Sequence, residues 1–431
     1  MPALSQLTKE QLQTLHAKLM ATYEEYRGKN LALDMSRGKP CDEQLDLSEK
    51  ILKTVSSTED CFAKNGLDCR NYGLWDGIGE AKVLFGELLG IAPEQLVLGG
   101  NSSLNMMYDT VSRAYNFGFF NSPRPWGKES VIKFLCPSPG YDRHFAICQL
   151  FGMEMITITM TPTGPDMDAV EYYVENDKAV KGIWCVPKYS NPQGITYSDE
   201  TVRRFARLKP AAPDFRIFWD NAYAVHDLYD EHDHLLNIFD ACSEESNPDI
   251  VISFSSTSKI SFPGSGVAIM AASPRNLEFM KQQISIQTIG PDKLNQLRHV
   301  KAYKNADGVR HHMRKLADIL RPKFEMVLNV LDEELSEYQI GSWSRPRGGY
   351  FIGFDTPEGC AKHVYQLCKD VGVVLTDAGA TYPYGIDPKD QNIRLAPSFP
   401  KLEELEQAMR VFCTCVKLAA VEKMLEEKEH A

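Results

Sequence analysis

Seven short runs rich in β-branched and aromatic residues, separated by helical stretches, constrain the fold of this chain more than any other feature. The runs begin at Leu96, Val131, Met155, Gly182, Arg216, Ile250 and Val267. Strands buried on both faces read as short apolar runs, and the helices between them cover those faces. We therefore predict an α/β fold whose large domain contains a mainly parallel seven-stranded sheet covered by helices.

The C-terminal part of the sequence predicts a second, smaller α/β unit. A long helical stretch runs from about Lys293 to Leu335. It is followed by strands at 350–354, 372–376 and 392–395, with helices at 358–371 and 402–427. We interpret this alternation as a small domain that closes the chain.

An opening helix precedes the sheet. Thr8 and Gln11 match a capping box, and Gly28 supplies a stop. A chain of 431 residues is expected to form two domains. We predict that residues 1–65 form the N-terminal helix and arm, as part of the small domain, that 66–300 form the large domain, and that 301–431 form the small C-terminal domain.

Composition excludes several classes of function. The formal net charge of −11 argues against general nucleic-acid binding. No apolar stretch approaches the length of a membrane span, and no hydrophobic signal core follows Met1. The eleven cysteines show neither metal-ligand spacing nor a paired framework. We expect no metal site, no membrane partner and a reducing, cytoplasmic setting.

The first indication of chemistry is a lysine that follows a strand-end carboxylate. Lys259 lies among serines and before Pro263-Gly264, and Asp220 ends the apolar run that starts at Arg216. Such a pair suggests a pyridoxal phosphate (PLP) site, in which the lysine forms a Schiff base and the aspartate pairs with the ring nitrogen. The alternatives are a solvated loop for the lysine and a helix N-cap for the aspartate.

Two further segments could hold the phosphate and the ring oxygen of such a cofactor. Residues 99–104 form a glycine turn that opens a helix, where Ser102, Ser103 and backbone N–H groups could bind phosphate. Asn191 and Tyr223 could donate to the phenolate oxygen. The alternative interpretations are an ordinary capped turn for the first segment and a type I turn for Asn191-Pro192.

Two more side chains could contact the ring and the substrate. Tyr141 could stack on the pyridine face, although a core aromatic is an equal alternative. Arg394 lies in a short strand of the small unit and could bind a carboxylate with both arms of its guanidinium. Its alternative is a surface salt bridge.

In this order, the motifs resemble those of the fold-type I PLP-dependent aminotransferases of class I/II, over residues of about 30–400. The segments 33–40, 255–259 and 288–295 resemble a MocR-like aminotransferase-domain subgroup that includes bacterial aspartate aminotransferases. The resemblance implies Lys259, Asp220 and Tyr223 as catalytic residues. It implies that the cofactor contacts are Ser102, Ser103, Tyr141, Asn191, Asp220, Tyr223, Ser256 and Lys259, and that Arg394 and Asn191 bind substrate.

The resemblance also implies a homodimer with shared active sites, because Tyr72 matches a tyrosine that reaches the neighbouring subunit's phosphate. One feature departs from the family: the segment 263–267 lacks the usual phosphate-binding arginine. The residue that reads a substrate side-chain carboxylate is not fixed by a motif. Arg37, Lys39 and Lys293 are its candidates.

The implied function is aspartate:2-oxoglutarate transamination by a ping-pong mechanism, with PLP as cofactor and amino and 2-oxo acids as the small-molecule partners. Alternatives within PLP chemistry are transamination of aromatic or other acidic amino acids, and β-elimination. An alternative from another class is a PLP-binding regulatory module without turnover.

Overall fold

The computed structural model describes residues 3–430, and the chain forms two sets of strands in this range. The strands are β1 (Leu33–Asp34), β2 (Leu96–Leu98), β3 (Lys133–Ser138), β4 (Glu154–Thr161), β5 (Gly164–Pro165), β6 (Val180–Cys185), β7 (Arg216–Asp220), β8 (Val251–Ser256), β9 (Ala268–Ala272), β10 (Ser342–Trp343), β11 (Ile352–Asp355), β12 (Val373–Val374) and β13 (Asn392–Leu395). The main sheet has the order β2-β9-β8-β7-β6-β3-β4-β5.

The prediction of an α/β fold is confirmed, and the strand count is corrected from seven to eight. All seven predicted runs contribute a strand to the main sheet, and β5 is the eighth strand. The pairs from β4 through β3, β6 and β7 to β8 are parallel, whereas β9 is antiparallel to both of its neighbours and β5 is antiparallel to β4. β5 has only Gly-Pro, which carries no strand pattern, so the sequence did not reveal it.

The parallel strands bring their carboxyl ends to one edge of the sheet. β3 ends at Ser138, β6 at Cys185, β7 at Asp220 and β8 at Ser256. All five residues of β7 are buried, which explains the apolar run at 217–219 before the terminal acid. In open α/β sheets this edge is where ligands bind, so we expect a ligand site among the loops that follow these strands.

Helices cover the sheet and build the second unit. They are α1 (Lys9–Arg27), α2 (Asp42–Ser48), α3 (Gly79–Leu89), α4 (Ser103–Phe117), α5 (Asp142–Leu150), α6 (Met167–Asn176), α7 (Asp199–Ala206), α8 (Ile238–Glu244), α9 (Pro274–Gln287), α10 (Lys293–Tyr303), α11 (Ala306–Leu335), α12 (Ala361–Asp370) and α13 (Leu402–His430). The predicted capping box at Thr8 and Gln11 is present, and Gly28 follows α1 as its C-cap. Within residues 3–430, no helix combines the length and the apolar character needed to cross a bilayer.

The helical stretch predicted from Lys293 to Leu335 is two helices. Lys304 separates α10 from α11 with a backbone φ of 70°, a left-handed conformation that ends a helix. The side chain of Asn305 then accepts a hydrogen bond from the Gly308 N–H at 2.9 Å and caps α11. The apolar periodicity on both sides of the break concealed it from the sequence.

The second unit combines both ends of the chain. β10, β11 and β13 form an antiparallel sheet, while β1 pairs in parallel with β12. α1, α12, α13 and the second half of α11 share one apolar core with these strands. Ile51 and Ala63, by contrast, pack in the same cluster as β2. The boundaries at residues 65 and 300 stay a prediction.

Gly182 on β6 tests how tightly the main sheet is packed. A Cβ atom at this position would lie 2.2 Å from Cζ of the buried Phe134 ring. We expect Gly182→Ala to destabilise the chain by about 1–3 kcal/mol, because the ring has no free space to move into. Differential scanning calorimetry should show a lower Tm. Gly79→Ala is the control, since a Cβ there meets nothing within 4 Å; an equal Tm for both variants would contradict the prediction.

Candidate active site

A cavity of about 560 Å³ lies at the carboxyl edge of the main sheet, where the second unit faces it. It is lined by eleven of the residues predicted from sequence: Arg37, Lys39, Ser102, Ser103, Tyr141, Asn191, Asp220, Tyr223, Ser256, Lys259 and Arg394. We call this cavity the cleft. A larger surface cavity of about 1240 Å³ lies beside α11 and residues 224–240, and none of the predicted residues lines it.

Lys259 lies on the loop after β8 and directs its amine to two tyrosine rings. Its Nζ atom is 5.1 Å from the ring centroid of Tyr223 and 5.7 Å from that of Tyr350. Burial lowers the pKa of the Lys259 amine, and the Asp220 carboxylate partly offsets this effect. A lowered pKa leaves more of the amine unprotonated near neutral pH, and the unprotonated amine is the form that acts as nucleophile and base.

Asp220 ends β7 with one oxygen engaged and the other free. Its Oδ2 accepts a hydrogen bond from Nε2 of His144 at 3.0 Å. Its Oδ1 is buried and has no hydrogen-bond partner among residues 3–430. An unpaired buried carboxylate oxygen is costly, so this atom is suited to a donor that is brought in from outside the chain.

His144 is a site residue that the sequence analysis missed. It lies on the first turn of α5, three residues after Tyr141, and its ring stacks on Trp184 with centroids 4.4 Å apart and an interplanar angle of 10°. Packing on the indole fixes the ring, and the ring in turn fixes the Asp220 carboxylate. The only signal in the sequence is the spacing from Tyr141, which places both residues on one turn.

Arg394 on β13 reaches into the cleft from the second unit. Nη1 donates to Asp142 Oδ1 at 3.2 Å and to Asn191 Oδ1 at 3.3 Å, and Nη2 donates to Thr376 Oγ1 at 3.1 Å. The guanidinium also lies over the Phe351 ring, 4.9 Å from its centroid. Arg394 is therefore held in place, and it is not the surface salt bridge that was its alternative.

The hydroxyl groups predicted to bind phosphate lie together at the start of α4. Ser102 is the N-cap of α4, yet its side chain makes no capping hydrogen bond, so the N–H groups of the first turn stay available. Ser256 Oγ donates to Ser258 Oγ at 3.0 Å, which adds a fourth serine to the group. Together they form a neutral cradle that suits an anion.

The segment 263–267, which lacks the arginine, is closely packed at Gly266. A Cβ on Gly266 would lie 3.1 Å from the Asn101 carbonyl oxygen and 3.3 Å from the Ser258 nitrogen. A side chain at position 266 would therefore require the surrounding backbone, including that of the serine cradle, to shift by a few tenths of an ångström.

Two of the residues that the sequence suggested for the site, Tyr72 and Lys293, do not line the cleft. Tyr72 is 79% exposed and does not line the cleft. Lys293 is buried, and its Nζ donates to the Gly73 carbonyl oxygen at 2.9 Å, so it is wrong as a reader of substrate side chains. The two other candidates, Arg37 and Lys39, line the cleft. The Nζ atom of Lys39 lies 4.3 Å from the ring centroid of Phe399.

A pair of buried histidines supports the Lys259 loop from behind. His299 Nε2 lies 2.7 Å from Ser261 Oγ. His312 Nε2 lies 2.8 Å from the Ile260 carbonyl oxygen. Burial lowers the pKa of both rings, and it lowers the pKa of His312 to about 4. The loop is therefore anchored by neutral imidazoles of α10 and α11.

This anchoring makes stability depend on pH. Because the pKa of His312 is about 4 in the folded chain and near 6.5 when unfolded, the unfolded chain binds more protons between these values. Stability from this group is complete above pH 6.5 and declines as the pH falls towards 4. We expect wild type to lose about 2 kcal/mol more than His312→Gln between pH 7 and pH 5. Thermal denaturation at both values would test this; equal losses would contradict it.

The fold is that of the fold-type I aminotransferases, and comparisons identify the family. The family model described as aspartate amino-transferase matches residues 7–428. The chain belongs to the aspartate aminotransferase family.

Individual relatives agree with this assignment. The chain is 45% identical to an aspartate aminotransferase of Corynebacterium glutamicum, over 97% of this chain and 97% of that protein. A crystal structure of an aspartate transaminase from C. glutamicum superposes with a TM-score of 0.95 at 45% identity, covering 98% of this chain and 99% of the other. LysN, an α-aminoadipate aminotransferase from Thermus thermophilus, shares the fold with a TM-score of 0.74 at 20% identity, covering 91% and 93% of the two chains.

Proposed function

We propose that this protein is a PLP-dependent aminotransferase that transfers the amino group of aspartate to 2-oxoglutarate by a ping-pong mechanism. One observation carries the proposal: the Lys259 amine and the free Oδ1 of Asp220 line one cleft with Arg394. Membership of the aspartate aminotransferase family supports transamination as the reaction and aspartate as the amino donor.

The residues of the cleft fit PLP. The free Oδ1 of Asp220 would accept a hydrogen bond from the protonated ring nitrogen. Ser102, Ser103 and Ser256 would hold the phosphate at the start of α4. Asn191 still has its side-chain NH₂ group to donate to the phenolate oxygen, because its Oδ1 is the atom that Arg394 contacts.

Two tyrosines complete the contacts to the ring. Burial raises the pKa of Tyr223 well above its ordinary value, so its hydroxyl stays protonated and could donate to the phenolate oxygen. Tyr141 lines the cleft on the turn that precedes α5 and would cover the ring face.

When bound, the cofactor supplies an aldehyde that takes up the amino group and a ring that withdraws electrons from the substrate Cα. Arg394 would bind the substrate α-carboxylate through its planar fork and so fix the orientation of the Cα–H bond. Lys259 would remove the proton from the substrate Cα and return it to the aldehyde carbon of the cofactor. An amine with a lowered pKa suits this acid–base role.

We further propose a homodimer in which Tyr72 serves the neighbouring active site. Tyr72 is exposed and does not line its own cleft, and Leu74 and Ile289 on the neighbouring loops and Ile286 near the end of α9 are also exposed. The Gly73 and Leu74 backbone lies against Gly290, so these apolar side chains belong to one surface. A cytoplasmic setting agrees with eleven buried, unpaired cysteines.

The absorbance spectrum of the holoenzyme in the near-visible range tests the proposed function. The band of lysine-bound PLP should disappear when aspartate is added without any oxo acid, and a second band should grow as the amino group is taken up. 2-Oxoglutarate should then restore the first band. A cofactor band that ignores aspartate would reject the donor, and no band after addition of PLP would reject the cofactor.

A further inference from the structure

One arginine of the cleft, Arg143, has no assigned task. It is exposed, lines the cleft, and makes no hydrogen bond or ion pair with any residue from 3 to 430. The acids nearby are already engaged. Asp142 accepts from Arg394 at 3.2 Å, and Asp220 accepts from His144 at 3.0 Å. Arg143 is therefore a cation without a counter-ion at the wall of a substrate site.

The position of Arg143 on α5 places it beside the proposed carboxylate site. It lies on the first helical turn, between Asp142, which contacts Arg394, and His144, which contacts Asp220. Consecutive Cα atoms are about 3.8 Å apart, so Arg143 starts within one residue of both contacts. Its charge acts on Tyr141, where it opposes the burial that raises the pKa of this tyrosine to about 12.

We propose that Arg143 reads the side-chain carboxylate of the substrate and so sets a preference for dicarboxylic amino acids. The inference rests on the proposed function and deepens it. With Arg394 occupied by the α-carboxylate, a second carboxylate would find in Arg143 a cation with a free planar fork. A neutral substrate side chain would leave the Arg143 guanidinium hydrated and would gain no binding free energy from it.

Arg37 is the rival for this role. It lies on the other flank of Arg394, where Thr376 Oγ1 accepts from Arg394 at 3.1 Å and donates to the Ser36 carbonyl oxygen at 2.6 Å. Arg37 also lines the cleft, but it lies on the irregular segment between β1 and α2. Arg143 lies on a helical turn, and the residues on either side of it, Asp142 and His144, are fixed by their contacts with Arg394 and Asp220. A specificity residue needs such a rigid support, which favours Arg143.

Substrate discrimination in the holoenzyme tests the assignment. Arg143→Met should lower kcat/KM for aspartate and glutamate by roughly 10- to 100-fold while changing kcat/KM for alanine less than about threefold. Arg143→Lys should retain part of the preference. Arg310→Met is the matched control, since Arg310 is an exposed arginine that pairs with Asp307 outside the cleft. An equal loss for all three amino acids would overturn the assignment, and so would a loss of discrimination in Arg37→Met but not in Arg143→Met.

Ligand binding separates this inference from the proposed function. Succinate and butyrate match in carbon count but differ by one carboxylate, and neither can react. Isothermal titration of the holoenzyme should show roughly tenfold or more weaker succinate binding by Arg143→Met, with butyrate binding unchanged. This result would support Arg143 even if wild type failed to turn over aspartate, which would reject the proposed function alone. Unchanged succinate binding would overturn the role of Arg143.

Discussion

Lys259→Ala is expected to lower turnover by at least about a thousandfold, because one side chain is proposed both to bind the cofactor covalently and to move the substrate proton. The fold should survive, since the Lys259 amine makes no hydrogen bond among residues 3–430 and faces a cleft. Steady-state kinetics, paired with circular dichroism, measures both quantities.

Lys178→Ala is the matched control for this variant, because Lys178 is exposed and lies outside the cleft. It should behave as wild type in both measurements. Turnover by Lys259→Ala at the rate of wild type would remove the basis of the proposed function, whatever its spectrum.

Asp220→Asn is expected to lower kcat/KM by about a hundred- to a thousandfold. The substitution keeps the shape of the side chain and can keep a hydrogen bond to His144, which contacts Oδ2 at 3.0 Å. It removes the negative charge that the proposed ring nitrogen would face. The loss should therefore appear in catalysis with little change in Tm.

Asp214→Asn is expected to show the opposite pattern, a lower Tm with unchanged catalysis. Asp214 is fully buried and binds Lys181 at 2.7 Å and the Trp126 indole N–H at 3.0 Å, away from the cleft. Its replacement should lower Tm, because the buried Lys181 would keep only its longer ion pair with Glu129 at 3.9 Å, while folded enzyme keeps its kcat. A near-neutral effect of Asp220→Asn on catalysis would contradict a role for the negative charge of Asp220 in the reaction.

The main sheet could be predicted because its strands are buried on both faces and therefore appear in the sequence as apolar runs. The strands that were missed have other causes. β1 and β10 have two residues each, and β5 is Gly164–Pro165, so none is long enough to show a period. The break at Lys304 depends on one backbone conformation, which a lysine seldom adopts and which no local pattern announces.

The site was predictable to the extent that its residues lie in ordered motifs. Asp220 ends a strand, Lys259 follows one and Arg394 lies within another, and the structure brings them to one cleft. His144 and Arg143 escaped because they lie inside a helix, where the apolar residues around them suggest only packing. Lys293 was wrong because its charge was counted without its partner, the carbonyl oxygen of Gly73, which only the folded chain supplies.

The pairing of β1 with β12 has a consequence for synthesis. The N-terminal strand must wait for a partner that follows the entire main sheet, and α1 must wait still longer for α13, which ends at His430. Leu12, Leu19 and Tyr23 of α1, buried in the finished protein, stay uncovered while nearly the whole chain is translated. We expect the nascent chain to complete its sheet first and to present this apolar stripe to chaperones until the last helix arrives.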